Sequence, residues 1–168
     1  MVVANLIALP LLVILSVFQT AIVNRLPLLH GTADLILLTL AAWSLHERVT
    51  SVWFWVLLGG VLVSYASATP FFAPLIGYAV MTVIARLLRR RVWQTPILAM
   101  ILITFLGTFI QHGLYMGALF IRGVAFSWRD SLNLITLPSL LLNILLAIPV
   151  YAVISALAEW VYPGELEI

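Results

Sequence analysis

The sequence contains no cysteine and no lysine, and only 8% of its 168 residues are charged. Without thiols there are no disulfides, thiolate metal sites or cysteine nucleophiles. So little charge excludes an ordinary soluble domain, in which about a quarter of residues are Asp, Glu, Lys or Arg. It also gives no general attraction to nucleic acid: the formal net charge is +2, and four of the eight arginines sit in one short cluster. Internal repeats and low-complexity segments are absent as well.

What fills the chain is apolar sequence, 64% of all residues. About 20 consecutive apolar residues cross a bilayer, and here such runs succeed one another with hardly a polar gap. Residues 1–168 therefore read as a single all-α membrane domain with six transmembrane helices. The first span covers Val2 to Val23 and, lacking a basic n-region or an Ala-x-Ala site, reads as a retained helix. The second apolar run, Ala33 to Leu45, is ~20 Å long as a helix, short of the ~30 Å core. Either it begins at Pro27 and takes His30, Gly31 and Asp34 inside, or it is tilted and partly buried.

A third span fits Val52 to Ser67, with Trp53 and Trp55 suiting an interface and Gly59, Gly60, Ser64 and Ala68 as small residues that let helices approach closely. Thr69 to Pro74 reads as a turn. A fourth span, Leu75 to Leu88, runs into the basic cluster Arg86, Arg89, Arg90 and Arg91, a solvated loop or an anionic-lipid contact. The fifth span begins after Pro96, extends to Ile121, and contains the packing-type pair Gly113 and Gly117. Residues Arg122 to Thr136 form the longest hydrophilic connection, amphipathic enough to lie on the membrane surface. The sixth span, Pro138 to Trp160, is interrupted by Pro149, and Pro163-Gly164 stops it before a short acidic tail. Five arginines, Arg48 and the cluster, fall on one side against Arg25, Arg122 and Arg129 on the other. The positive-inside rule then places both termini in the cytoplasm.

Catalysis needs titratable groups that converge, and no His-Glu-x-x-His, facing aspartate pair or Ser/His arrangement can be assembled. His30, His46 and His112 have no second ligand at metal spacing on their own helices, so neither a metal nor a cofactor is expected. The candidate intramembrane polar contacts are Asp34, His112 and Asn143, with Gln111 beside them. Asp34 has two readings. In one it is a buried contact partnered by His30; in the other Thr32 caps a shorter helix and Asp34 lies in its first turn at the interface.

Four stretches together resemble the rod-shape-determining MreD family of bacteria. These are Ala33-Asp34-Leu35-Ile36-Leu37-Leu38; Gly59-Gly60 with the Thr69-Pro70 turn; Leu75-Ile76-Gly77-Tyr78 followed by Ala85-Arg86-Leu87-Leu88-Arg89; and Leu137-Pro138-Ser139-Leu140-Leu141-Leu142-Asn143 with Ile148-Pro149-Val150-Tyr151. Many relatives have an Asp after the third-span glycines, where this chain reads Val63-Ser64-Tyr65, so no role of that acid carries over. The resemblance implies a non-enzymatic subunit of the cell-elongation complex in the bacterial inner membrane. It would bind the single-span protein MreC and, through it or directly, the peptidoglycan polymerase and transpeptidase. It also implies a fold similar to the substrate-binding subunits of energy-coupling-factor transporters. A small-molecule uptake subunit is thus the alternative, disfavoured because the polar residues look few and scattered. Docking faces for a partner helix are sought at Gly59, Gly60 and Ser64, and at Gly113 and Gly117.

Overall fold

The computed structural model describes residues 2–22, 25, 30–67, 72–89 and 95–163, and among these the only regular structure is helical. The elements are α1 (Val2–Ala21), α2 (Leu35–Leu45), α3 (Val52–Ala66), α4 (Phe72–Arg89), α5 (Pro96–Ile121), a short α6 (Trp128–Asp130), a π-helical turn (Ser131–Thr136) and α7 (Leu137–Val161). Among the described residues four helices are long and apolar enough to cross a membrane: α1, α4, α5, and the continuous run Trp128–Val161. In that last run only 22% of the most apolar window is buried, and Leu132, Leu134, Ile135, Leu137, Leu141, Leu145 and Ile148 are exposed. Exposed apolar surface of this extent belongs in lipid. The architecture is that of an all-α membrane protein.

Helix α2 is the centre. All eleven of its residues are buried, as expected for a helix that is apolar all round, and it touches α1, α3, α4, α5 and α7. Helices successive in the chain alternate in direction, so that α2, α4 and α7 end at the same end of the bundle. The end of α1 meets the start of α2, where Gln19 Oε1 accepts from the Leu35 N–H at 2.8 Å. At the other end of the bundle, Arg89 closing α4 donates to the carbonyls of His46 and Glu47 just beyond α2. There too Ser51, before α3, meets Tyr162, after α7, at 3.0 Å between hydroxyls.

Several expectations are corrected. A second helix beginning at Pro27 is excluded, because residues 30–34 are non-helical. Trp55 does not sit at an interface: it is fully buried and stacks on Trp43 with ring centroids 4.2 Å apart, whereas Trp53 is exposed. Helix α4 starts at Phe72, with Pro74 in its first turn, where its missing N–H has no helical partner to lose. The connection after Arg122 is partly helical, Ser127 capping it by accepting from the Asp130 N–H, and it runs directly into α7. The π turn makes this continuity possible. Pro138 has no N–H and its ring crowds the preceding turn; widening the turn ahead of it, with Leu137 N–H bonded back to Leu132 O, relieves that crowding. Ala68, the Thr69-Pro70 turn, Pro27, Arg90, Arg91 and the tail from Gly164 lie outside the described residues.

The glycines divide into two kinds. A Cβ on Gly31 would lie 2.6 Å from the Ser139 backbone nitrogen, and one on Gly60 would lie 2.9 Å from the Leu75 Cα; at Gly113 and Gly117 it would meet nothing within 4 Å. Backbone cannot yield as a side-chain tip can, so the first kind is required by packing and the second is not. Gly31→Ala is therefore expected to lower stability by about 2–3 kcal/mol through overpacking. Gly113→Ala is expected to be neutral, or to gain up to about 1 kcal/mol from helix propensity. Thermal unfolding of both variants in detergent separates them, and equal melting temperatures would contradict this division.

Candidate functional site

The irregular segment ahead of α2 carries four backbone N–H groups into the bundle, and each finds a partner. His30 donates to Leu134 O at 3.1 Å, Thr32 to Ser139 Oγ at 2.9 Å, Asp34 to Asn143 Oδ1 at 2.8 Å, and Leu35 to Gln19 Oε1. In hydrocarbon every unpaired backbone group costs several kcal/mol, so the three side-chain acceptors, Gln19, Ser139 and Asn143, are what permit a non-helical stretch here. They come from α1 and α7, at sequence distances of 16 to 109 residues.

Asp34 ends the segment as the N-cap of α2. One carboxylate oxygen accepts from the Leu37 N–H at 2.8 Å and the other from the Tyr78 hydroxyl of α4 at 2.7 Å. An anion at a helix N-terminus is favoured by the dipole. Asp34 is a contact inside the bundle, as one reading supposes, but both readings are corrected in their partners. The cap is Asp34, not Thr32, and His30 is not its partner, because in a non-helical segment residues four apart are not stacked one turn above another. Tyr78, unmarked as a polar contact in the sequence, supplies the second bond.

Asn143 continues the network: its amide donates to Thr108 Oγ1 on α5 at 2.9 Å, and Thr108 donates to Thr104 O. His112 Nδ1 lies 3.1 Å from Thr136 Oγ1 in the π turn. Gln111 does not bond across helices as expected; its amide donates to Tyr115 Oη on its own helix at 2.6 Å. Its carbonyl end packs close against Gly77 of α4. These side chains, with Gln19, Thr32 and Asp34, line a cavity of about 190 Å³. Polar residues expected to be scattered are therefore gathered at one place. Asp34 is the only carboxylate among the residues lining it, and among the described residues no three His, Cys, Asp or Glu side chains come together as metal ligands would. The cavity can order water and hold helices in position; it has the polar partners that water needs.

The remaining candidates fall elsewhere. Gly59 lies against Ile36 and Leu40 of α2, Gly60 against Leu75 of α4, and Ser64 is buried and donates to Gly60 O. The third-span docking face is thus an internal seam between α3, α2 and α4. Gly113 and Gly117 are open, and at 100° per residue they lie on the face of α5 opposite Gln111 and Thr108. Arg86 and Arg89 occupy the last turn of α4, beside a second, wider cleft of about 740 Å³ lined by His46, Glu47, Arg48, Arg89 and Glu159 among others. Burial holds the His46 imidazole below its ordinary pKa; Glu159 and Glu47 oppose this shift, and Arg48 and Arg89 add to it.

Fold and polar centre together define an all-helical membrane protein organised around a broken second helix. Comparison with known protein families, with curated proteins and with solved structures finds no match.

If Asp34 locks α2 to α4, its loss strands both the Leu37 N–H and the Tyr78 hydroxyl. Asp34→Ala is expected to cost about 2–4 kcal/mol and Tyr78→Phe about 0.5–1.5 kcal/mol. Asp34→Asn, which keeps a capping oxygen, should fall between them. Unfolding in detergent measures all three; an Asp34→Ala protein as stable as the parent would sink the assignment.

Proposed function

We propose that this chain is a non-enzymatic subunit of the bacterial cell-elongation complex, resident in the cytoplasmic membrane. It holds the transmembrane helix of an MreC-like single-span protein and through it engages peptidoglycan polymerase and transpeptidase. The observation that carries the reading is the open notch of α5: Gly113 and Gly117 face away from the bundle with nothing within 4 Å, and exposed Phe120 lies one turn beyond. Lipid tails are as apolar as leucine, so helices associate in a membrane by close backbone approach, which such a notch allows. Asp34, Tyr78 and Asn143 come from three of the four resembling stretches and belong to one hydrogen-bonded network.

The alternative, a small-molecule binding subunit of an energy-coupling-factor type transporter, draws on the polar cavity and on the proposed likeness of fold. For the polar cavity, though not for the wider cleft of about 740 Å³ at the other end of the bundle, size counts against it. Sites for ligands of vitamin size occupy about 300–1,000 Å³, and the polar cavity is about 190 Å³.

The docking reading predicts that Gly113→Leu and Gly117→Leu weaken recovery of an MreC-like partner at least about tenfold in a pull-down, while both variants stay monodisperse. Normal recovery would remove this face from consideration, and tight retention of a vitamin-sized molecule would favour the transporter reading.

The alternation of successive helices, read with the positive-inside rule, supports a topology of six crossings with both termini cytoplasmic. The absence of native cysteine makes the test clean. An impermeant thiol reagent added to intact cells should label Val124→Cys and spare Thr50→Cys until the membrane is opened; the reverse pattern inverts the topology.

A further inference from the structure

The wider cleft, where α2, α4 and α7 end and α5 begins, has no part in the polar network or the α5 notch. Its charges are of both signs and are not matched to each other. Glu47 and Glu159 line it, yet no ion pair forms among the described residues, and the nearest bond of Arg48 is a long 3.5 Å contact to the Tyr162 carbonyl. Arg89 is committed to the His46 and Glu47 carbonyls. The Ser155 hydroxyl is buried with no partner, as is His46 Nδ1, and both residues line the cleft. At about 740 Å³ it lies within the range of ligand sites.

Its level in the membrane is marked by Trp53 at the start of α3 and Trp160 at the end of α7, both more than half exposed. Exposed tryptophans of this kind concentrate at the boundary between acyl chains and water. Along α7 the lining residues are Tyr151, Ser155 and Glu159, successive positions four apart and so one above another on a single face. Polarity therefore climbs in steps of ~6 Å from an aromatic ring to a hydroxyl to a carboxylate. Opposite, Ala99 and Pro96 of α5 make the inner wall apolar.

A plain anion would meet Glu47 and Glu159, and a plain cation would meet Arg48 and Arg89. A molecule with an apolar chain, an ester, a phosphate and a terminal ammonium satisfies each level in turn. We propose that this cleft binds a phospholipid with a primary-amine head group, a phosphatidylethanolamine. Its phosphate faces Arg48, its ammonium faces Glu159, its ester region receives the Ser155 hydroxyl, and its acyl chains leave along Ala99 and Tyr151. The site rests on the membrane placement of this end of the bundle, not on the identity of any protein partner.

Delipidated protein in detergent, offered phosphatidylethanolamine, phosphatidylcholine and phosphatidylglycerol of identical chains, should retain the first about tenfold more than either other when observed by native mass spectrometry. Phosphatidylcholine keeps the charge but cannot donate to Glu159, and phosphatidylglycerol lacks the ammonium. Glu159→Gln should bring phosphatidylethanolamine down to the phosphatidylcholine level, Arg48→Gln should weaken it further, and Arg122→Gln at the opposite end should change nothing. Equal retention of the three lipids by the parent protein overturns the proposal without recourse to any variant. Preference for phosphatidylglycerol overturns it in favour of a simple anion site, and no retained lipid leaves the cleft to a protein segment.

Discussion

A chain that enters the hydrocarbon without forming a helix must satisfy its N–H groups by other means, and here it does so with side chains from distant parts of the sequence. Gln19, Ser139 and Asn143 accept the N–H groups of Leu35, Thr32 and Asp34. Without them the segment would carry three orphan donors at a cost of several kcal/mol each in an apolar medium. The placement of α2 follows from this satisfied break. So does the convergence of α1, α5 and α7 at one depth, because the accepting side chains come from α1 and α7 and Asn143 is itself held by Thr108 of α5.

Because the break takes up length that a spanning helix would use, α2 has eleven residues and a length of only ~16 Å. A helix that short does not cross a bilayer alone, and it has no need to expose a face to lipid. It is wrapped on all sides by other helices. Its free N-terminal N–H groups and partial positive charge remain inside the bundle, and the Asp34 carboxylate answers both: it caps Leu37 and accompanies the dipole. Tyr78 then ties that carboxylate to α4. The one carboxylate lining the polar cavity is thereby accounted for by local backbone geometry together with one tertiary bond.

Much of this was legible and some was not, for physical reasons. Helix α5 could be bounded from the sequence because Pro96 suits a first helical position and no Asp, Glu, Lys, Arg or further Pro interrupts the run to Ile121. Helix α2 could not, since a segment apolar on every side has no periodicity to mark where winding starts. Thr32 and Asp34 are both good caps; only the tertiary acceptors for Thr32 N–H and Asp34 N–H decide between them. The gathering of polar residues was hidden for the same reason. Asn143 and Asp34 are 109 residues apart, and in one sequence nothing links two such positions. Trp55 was misplaced because tryptophan at a span end suits an interface, whereas here its ring stacks on Trp43 inside the bundle.

The glycines sharpen the contrast between closing the bundle and leaving a face open. Gly31 lets the broken segment approach the start of α7, Gly60 lets α3 approach α4, and Gly107 sits against Met81 and Leu37 at the centre. A side chain at any of these would push apart elements whose polar contacts need a donor–acceptor separation near 2.9 Å. Small residues on the inner faces therefore do the same work as the amide and hydroxyl side chains, by setting the distance over which those groups can bond. Gly113 and Gly117 do no such work, since a Cβ at either would meet nothing within 4 Å among the described residues. Two glycines four residues apart weaken a helix by about 1 kcal/mol each relative to alanine. In a bundle where every inner glycine relieves a contact, these two stand apart, because no contact among the described residues offsets their cost.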